Sequence, residues 1–465
     1  MSEAVSGAPL ELGTKNIGAL LKQYALPGII AMTATSLYNM VDSIYIGHIP
    51  EVGAYALSAL GVCHPIMNLA SALGTLVGVG ASTIMSVMLG QKNYRNVQKV
   101  LSNSITFNLI LGSLFTITVL IWQEPLLYFF GASEVTMPFA KQYLTIIMLG
   151  NVISHMYFGL NSIIRVSGNP KTAMGLTLFT VIANAILDPI FIFALGMGVR
   201  GAAVATVLCQ MMALSYIIWY FSRKEKVVHF GKRILGIDWK IAGSSLAIGL
   251  GPFLMNSAAC IVNLFINQQL RKYGGDLAIG AYGVANRISF FFLMIVMGLN
   301  QGMQPIAGYN YGARQYSRVR KVYLLTAGWA TAVCVFGFIL SEFFPKAAVS
   351  IFTNDATLLA LSAKGLQTMN IAFILVGIQM VSTNFFQCLG MVNKSIFLSL
   401  TRQLLFLVPL VYLLPLWLDV RGVWYSFPIA DTLAFIITGI LIIGIMRKFR
   451  KLKDGDDPAI LGSYI

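Results

Sequence analysis

Four polar residues could bind a small cation if the fold brings them together: Asp42, Asn184, Asp188 and Thr206. Asp42 and Asp188 lie late in two apolar stretches, where an ionisable side chain is costly to bury and needs a compensating role. Asn184 precedes Asp188 by one helical turn and would share its helix face. A carboxylate can take up a proton, and carboxylate, amide and hydroxyl oxygens together can surround Na⁺. The alternative is that each Asp only caps a helix end or bonds a neighbouring hydroxyl.

Membrane-spanning helices must position these side chains. Hydrophobic residues make up 57% of the 465 residues, charged residues make up 11%, and the mean hydropathy is +0.76. About twelve apolar stretches approach the roughly 20 residues that a helix needs to cross a bilayer. They are 24–46, 55–79, 99–121, 138–160, 172–194, 201–221, 241–269, 277–301, 321–341, 359–389, 395–416 and 421–446. We therefore predict an all-α integral membrane protein with twelve transmembrane helices.

An internal repeat divides these helices into two sets. The segment Gly90–Val100 reappears as Gly312–Val322 with an offset of 222 residues, and Gly168 falls on Gly390. Six helices in each half predict two pseudo-symmetric lobes related by an axis along the membrane normal, as in transporters whose substrate path runs between the halves. The predicted plan is an N-terminal segment (1–22), an N-lobe (23–221), a basic linker (222–240), a C-lobe (241–446) and a tail (447–465).

The net charge of the chain is +15, and the positions of its basic residues indicate how the chain is oriented in the membrane. With the N-terminus in the cytoplasm, 24 of the 32 basic residues fall in cytoplasmic segments and five fall outside. This excess inside predicts that both termini and the linker are cytoplasmic in the inner or plasma membrane. Because the basic residues are concentrated in the loops on one side of the membrane, we expect membrane lipids as partners and no nucleic acid.

The same orientation sets the depth of the charged residues. At about 1.5 Å per residue, Asp42 and Asp188 would lie at one level, two-thirds of the way across or further. Arg287 and Asp431 would be level near the midplane, where we predict an ion pair, static or functional. Pro27 and Pro189 remove backbone donors and mark either hinges or static kinks.

Other chemistries lack a sequence signal. The five cysteines stand singly within apolar segments, and the four histidines share no metal-ligand spacing. The chain has no phosphate-binding loop and no Gly-x-Ser-x-Gly in a strand-turn-helix setting. We therefore expect no enzyme activity, no cofactor and no metal centre, apart from H⁺ or Na⁺ as a coupling ion.

Several short motifs resemble those of bacterial multidrug and toxic compound extrusion (MATE) transporters, over residues 15 to 450. They are Leu26-Pro27, Tyr38-Asn39-x-x-Asp42, Leu89-Gly90-Gln91, Gly168-Asn169-Pro170, Asn184-x-x-Leu187-Asp188-Pro189 and Arg200-Gly201-Ala202-Ala203. The resemblance implies export of cationic, amphipathic drugs in exchange for H⁺ or Na⁺, by rocking between outward-open and inward-open states. It also implies small-molecule partners, and we expect a monomer.

The resemblance also assigns residues. It places the N-lobe cation site on Asp42, Asn184, Asp188 and Thr206, with further polar positions at Tyr38, Asn39, Tyr143 and Asn161. Some branches carry acids in the seventh and tenth helices, whereas 253–257 is Phe-Leu-Met-Asn-Ser and the tenth helix carries only Lys364. This departure favours coupling through the N-lobe.

Two alternatives to an antiporter stay open. A flippase for a lipid-linked glycan has the same fold, but its cavity should carry several bases to meet a diphosphate. A membrane protein without transport activity, such as an embedded enzyme or a channel, is disfavoured by the missing catalytic groups and by the paired buried acids.

Overall fold

The computed structural model describes residues 9–231, 233–353 and 355–457, without the side chains at 39, 40, 54 and 276. These residues form helices and no β-strand. The described residues contain ten helical stretches that are long and apolar enough to cross a membrane, or twelve if each of two bent helix pairs forms one span. The prediction of an all-α, multi-pass membrane fold is confirmed.

Nine helices precede the linker in the part of the chain from residue 9 onward that the structure describes. They are α1 (Glu11–Thr14), α2 (Ile17–Gly47), α3 (Gly53–Gly90), α4 (Tyr94–Ile121), α5 (Gln123–Phe129), α6 (Met137–Leu149), α7 (Asn151–Val166), α8 (Pro170–Pro189) and α9 (Val199–Ser222). A π-helical turn, Ile190–Ala194, continues α8.

The helices after the linker begin with α10 (Trp239–Gly312), which is broken at Gly275 (φ 71°). There follow α11 (Tyr316–Phe343), α12 (Pro345–Ser350), α13 (Ala356–Asn370), α14 (Phe373–Cys388), α15 (Val392–Leu400), α16 (Val408–Leu413), α17 (Pro415–Leu418) and α18 (Val420–Lys451). A second π-helical segment, Thr401–Leu407, joins α15 to α16.

The backbone repeats with the offset seen in the sequence. Helices α4 and α11 begin and end 222 residues apart, and so do α7 and α14. Lys92 and Arg314, at equivalent positions, share the left-handed conformation that side chains rarely adopt, with φ of 58° and 57°. The bends between α6 and α7 and between α13 and α14 are 52° and 54°. The two halves therefore share one backbone plan.

Two compact units contain these helices. Unit 1 comprises Met1–Thr14 and Thr33–Phe253, and unit 2 comprises Lys15–Met32 and Leu254–Ile465. The units differ from the predicted lobes at two places. The first part of α2 belongs to unit 2, and the first part of α10 belongs to unit 1.

Glycines make equivalent helix crossings inside each unit. In unit 1 a Cβ on Gly249 of α10 would collide with the Leu76 carbonyl of α3. In unit 2 a Cβ on Gly298 of α10 would collide with the backbone of Ile29 on α2. Positions 76 and 298 are 222 residues apart, so the same type of close helix crossing occurs once in each unit. Close backbone approach through glycine is how helices pack where lipid supplies no hydrophobic driving force between them.

The linker is fixed to α4 within unit 1. The Asp238 N–H donates to Asn103 Oδ1 (2.8 Å), and Asn103 Nδ2 donates to the Asp238 carbonyl (3.0 Å). Lys99 Nζ lies 2.9 Å from Asp238 Oδ2. This ammonium holds the pKa of Asp238 below its ordinary value. The predicted linker is therefore an ordered segment in the part that the structure describes.

Candidate functional site

Helix α8 presents Asp188 and Asn184 on one face at its C-terminal end. Asp188 is fully buried and Asn184 is 2% exposed. Pro189 ends the regular helix, and the π-helical turn Ile190–Ala194 follows directly. Proline removes a backbone donor and π-turns widen the helix, so the backbone is irregular beside the carboxylate.

Helices α2 and α9 complete the cluster within unit 1. Asp42 on α2 is 6% exposed, and its carboxyl group is close enough to that of Asp188 to share a hydrogen bond. Tyr38 lies one turn earlier on α2, and half-buried Thr206 lies on α9. Three helices therefore bring two acids and their polar neighbours together.

Hydrogen bonds join these side chains into one network. Asn184 Nδ2 donates to Asp188 Oδ1 (3.0 Å) and to Thr206 Oγ1 (3.4 Å). The Tyr38 and Thr206 hydroxyl oxygens are 3.0 Å apart. The four residues expected to form a cation site therefore lie together, and Tyr38 joins them.

Three buried oxygens of this network accept no hydrogen bond from the described residues, apart from the one that a protonated Asp42 or Asp188 could give to the other carboxyl group. They are Asp42 Oδ1, Asn184 Oδ1 and Asp188 Oδ2. Buried polar atoms are nearly always satisfied, and adjacent carboxylates in a low-dielectric site resist joint ionisation. The arrangement can therefore hold a proton or a small cation. Among the residues that the structure describes, no group of three His, Cys, Asp or Glu could hold a metal ion.

Of the further polar residues predicted near the cation site, one lies beside the cluster and one lies away from it. Tyr143 on α6 is buried and lies close enough to Asp42 and Tyr38 to interact electrostatically. Asn161 donates instead to Thr177 Oγ1 (3.2 Å). Thr177 precedes Asp188 on α8 by three turns, or about 16 Å, so Asn161 lies outside the cluster. The Asn39 side chain is outside the described part of the chain.

The predicted pairing of Arg287 with Asp431 is wrong. Arg287 is exposed, and the Asp431 carboxylate accepts a hydrogen bond from Nε of Arg402 in unit 2. Arg402 lies in the π-helical segment Thr401–Leu407, inside a candidate span. Arg402 is one of the 24 basic residues that the sequence places in cytoplasmic segments, and its position within the apolar stretch 395–416 is the signal that it lies inside the membrane instead.

Comparison with known proteins identifies relatives of the whole chain. The MatE family model matches residues 27–190 and 247–413. The chain is 26% identical over 429 residues to the multidrug export protein MepA of Staphylococcus saprophyticus, covering 92% of this chain and 93% of that protein. Identity to MepA of Staphylococcus aureus is 27% over 431 residues, with the same coverage.

Solved structures agree with the family model. The MATE multidrug transporter DinF-BH is 34% identical, with a TM-score of 0.87 over 95% of this chain and 98% of that one. An outward-facing MATE family transporter of the MOP superfamily has the same fold, with a TM-score of 0.89 at 24% identity over 96% of this chain and all of that one. Because the family model covers both repeats and more than half of the sequence, this chain belongs to the MatE family of multidrug and toxic compound extrusion transporters.

Proposed function

We propose that this protein is a secondary active antiporter that exports cationic, amphipathic compounds in exchange for H⁺ or Na⁺. The observation that carries the proposal is the buried pair Asp42 and Asp188, with unpartnered carboxyl oxygens on both residues. Its relatives named as multidrug export proteins support the direction and the breadth of transport.

Coupling requires an ion that binds one conformation better than another, since an ion with equal affinity for both states shifts nothing. Uptake of a proton, or of Na⁺, relieves the repulsion between the two carboxylates. The α2 and α8 segments that carry them can then approach one another. Pro189 and the π-helical turn after it give α8 an irregular backbone at this point, and Pro27 lies within α2, where it removes one backbone donor. We propose these two prolines as the hinges of a rocker-switch movement.

The substrate class follows from side chains that adapt to varied shapes. Met fills irregular spaces with little strain, and aromatic faces attract cations. The chain contains 21 Met and 29 Phe residues. We propose that the substrates are small cationic drugs. The transporter would act as a monomer in the plasma membrane, with both termini in the cytoplasm. Its two lobes would comprise residues 23–221 and 241–446.

The flippase alternative is less well supported. A diphosphate headgroup needs free bases, and the half-buried Arg402 already bonds to Asp431. An acid-rich site in unit 1 suits a cation rather than a pyrophosphate.

Everted membrane vesicles test the proposal. Vesicles that contain the protein should accumulate ethidium when energised and release it when the H⁺ and Na⁺ gradients are collapsed by ionophores. Vesicles without the protein serve as the control. Accumulation that survives complete collapse of both gradients would exclude an ion-driven antiporter.

A further inference from the structure

A line of polar side chains runs through the interior of unit 1, between α3, α4 and α7. We call it the polar seam and define it by five buried residues: Ser104, Asn108, Thr116, Asn151 and His155. The α4 members are spaced by multiples of four residues, and so are the two on α7, so each set lies along one helix face. The seam lies on helices other than those that carry Asp42, Asp188 and Thr206.

Most polar atoms of the seam are satisfied. Asn151 Nδ2 donates to the Gly112 carbonyl (3.3 Å) and to Thr116 Oγ1 (3.2 Å). Thr116 Oγ1 donates to the Met148 carbonyl (3.1 Å). Asn108 Nδ2 donates to the Ser104 carbonyl (2.8 Å), which fixes the orientation of its amide. The two ends of the seam therefore need no further partner.

The middle of the seam is different. His155 is 1% exposed and Asn108 is fully buried. Neither ring nitrogen of His155, nor Asn108 Oδ1, makes a well-aligned hydrogen bond within the described residues. The Ala70 carbonyl on α3 lies beside the ring and can accept one N–H from it. Leaving a buried polar group without a hydrogen bond destabilises the folded protein, so the remaining atoms need a partner.

The chemistry of the remaining atoms defines that ligand. Helices α3, α4 and α7 contain no Asp or Glu, so a charged imidazolium would have no counter-ion on these helices. A neutral imidazole that gives its single N–H to Ala70 keeps one nitrogen as an acceptor. Asn108 Oδ1 is also an acceptor. Two acceptors can be bridged only by a molecule with two donors.

The packing places the two side chains next to each other. Gly159 of α7 packs against the Asn108 amide and Gly112 of α4 packs against the His155 ring, so Asn108 and His155 are neighbours across this helix pair. A water with two hydrogen bonds of about 2.8 Å can join acceptors up to about 5.6 Å apart. Gly74 and Gly112 face the His155 ring, where a Cβ on Gly112 would come within 3.5 Å of Nδ1. Larger side chains at these positions would occupy the space beside the ring.

We propose that a buried water molecule bridges the acceptor nitrogen of His155 and the Oδ1 atom of Asn108, and so ties α4 to α7 in the interior of unit 1. Buried waters of this kind make about three hydrogen bonds to groups that are otherwise unsatisfied, and they are costly to remove.

A single-histidine variant allows a direct test, because the chain has only four histidines. His48, His64 and His229 are replaced by Gln, and ring-¹⁵N histidine is incorporated. Solid-state NMR in lipid bilayers should then show one neutral ring with proton contacts from its acceptor nitrogen to a slowly exchanging water. A ring protonated at pH 7, or a neutral ring without any water contact, would overturn the proposal.

A second variant tests the bridge. Asn108→Leu in the same background should remove the water contact and leave the ring neutral. Thr118→Val is the matched control, because Thr118 is on the same helix but bonds only to the Leu114 carbonyl at the exposed face, and it should keep the contact. A contact that persists in Asn108→Leu would show that the water is not held by Asn108.

Stability gives a readout that does not depend on NMR. Asn108→Leu and His155→Leu should each lower the unfolding midpoint in detergent, because each leaves the other partner unsatisfied. The double variant should lose less than the sum of the two, since both partners are then apolar. Strictly additive losses would contradict a shared water.

Discussion

Asp431 on α18 accepts a hydrogen bond from Nε of Arg402, a residue 29 positions earlier in the chain. The Asp431 side chain is 3% exposed and that of Arg402 is 24% exposed, so the pair is largely removed from water. The buried acid of unit 2 thus has a cation beside it, whereas the neighbour of Asp188 in unit 1 is a second carboxyl group. The repeated backbone therefore carries different electrostatics in its two halves.

Breaking this ion pair should destabilise the protein. Asp431→Asn leaves the Arg402 charge without its partner, and removal of one member of a buried pair costs about 3–5 kcal/mol, toward the lower end here because Arg402 is partly exposed. The unfolding midpoint in detergent measures the loss. Arg287→Gln is the control and should lose less stability, because Arg287 does not bond to Asp431. An equal loss in both variants would contradict the observed pairing.

The glycine crossings give a second prediction. Gly249→Ala and Gly298→Ala should lower the unfolding midpoint, because the added Cβ meets the backbone of the opposing helix and the helices must separate. Gly243→Ala on the same helix α10 has nothing within 4 Å and is the matched control. It should be neutral or stabilising by up to about 1 kcal/mol through helix propensity. Loss of stability in the control alone would show that close approach is not the cause.

The anchoring of the linker should depend on pH. Lys99 lowers the pKa of Asp238 in the folded state. The ion pair therefore contributes its full stability at pH values above the ordinary carboxyl pKa of about 3.9. This contribution is lost as the pH falls through the pKa that Asp238 has in the folded protein. Because both side chains are partly exposed, the contribution should not exceed about 1 kcal/mol.

Trypsin cleavage at Arg233 measures this anchoring. Lys99→Met should increase cleavage at neutral pH, and Lys141→Met, which removes the exposed partner of Glu124, should leave it unchanged. Equal cleavage of Lys99→Met and the unaltered protein would mean that the ion pair does not hold the linker.

The internal repeat and the shared helix face of Asn184 and Asp188 follow from local sequence patterns, whereas the partner of Asp431 depends on a departure from regular helix geometry. The offset of 222 reappears in the bounds of α4 and α11, and Lys92 and Arg314 in the turns before them adopt the same left-handed backbone. Asn184 and Asp188 share a face because helical periodicity dictates it. These features are local, so they can be read without a structure.

The partner of Asp431 could not be read in this way. The choice of Arg402 over Arg287 depends on the π-helical segment at Thr401–Leu407, and a regular 3.6-residue period does not reveal such a segment. The division of α2 between the units at Met32 depends on which helices it packs against. The bond between Tyr38 and Thr206 depends on tertiary contacts for the same reason.

The neutral oxygens of the cluster should tune ion affinity without abolishing coupling. Thr206→Ala removes a hydroxyl that contacts both Asn184 and Tyr38, and Asn184→Ala removes a donor to Asp188. One lost hydrogen bond of about 1 kcal/mol corresponds to roughly fivefold weaker ion binding. Ser215→Ala, at an exposed site on α9, is the control. Complete loss of gradient-driven transport in Thr206→Ala would contradict this auxiliary role.

Gradient-driven transport in proteoliposomes tests the central claim most directly. Asp42→Asn and Asp188→Asn should each bind the fluorescent cation and stay folded, but neither an imposed pH gradient nor an imposed Na⁺ gradient should drive its transport. Asp431→Asn should keep the ion dependence of the unaltered protein at a reduced yield of folded transporter. If both unit 1 variants transported the cation at the normal gradient-dependent rate while Asp431→Asn did not, the coupling site would lie in unit 2 and the assignment to Asp42 and Asp188 would be wrong.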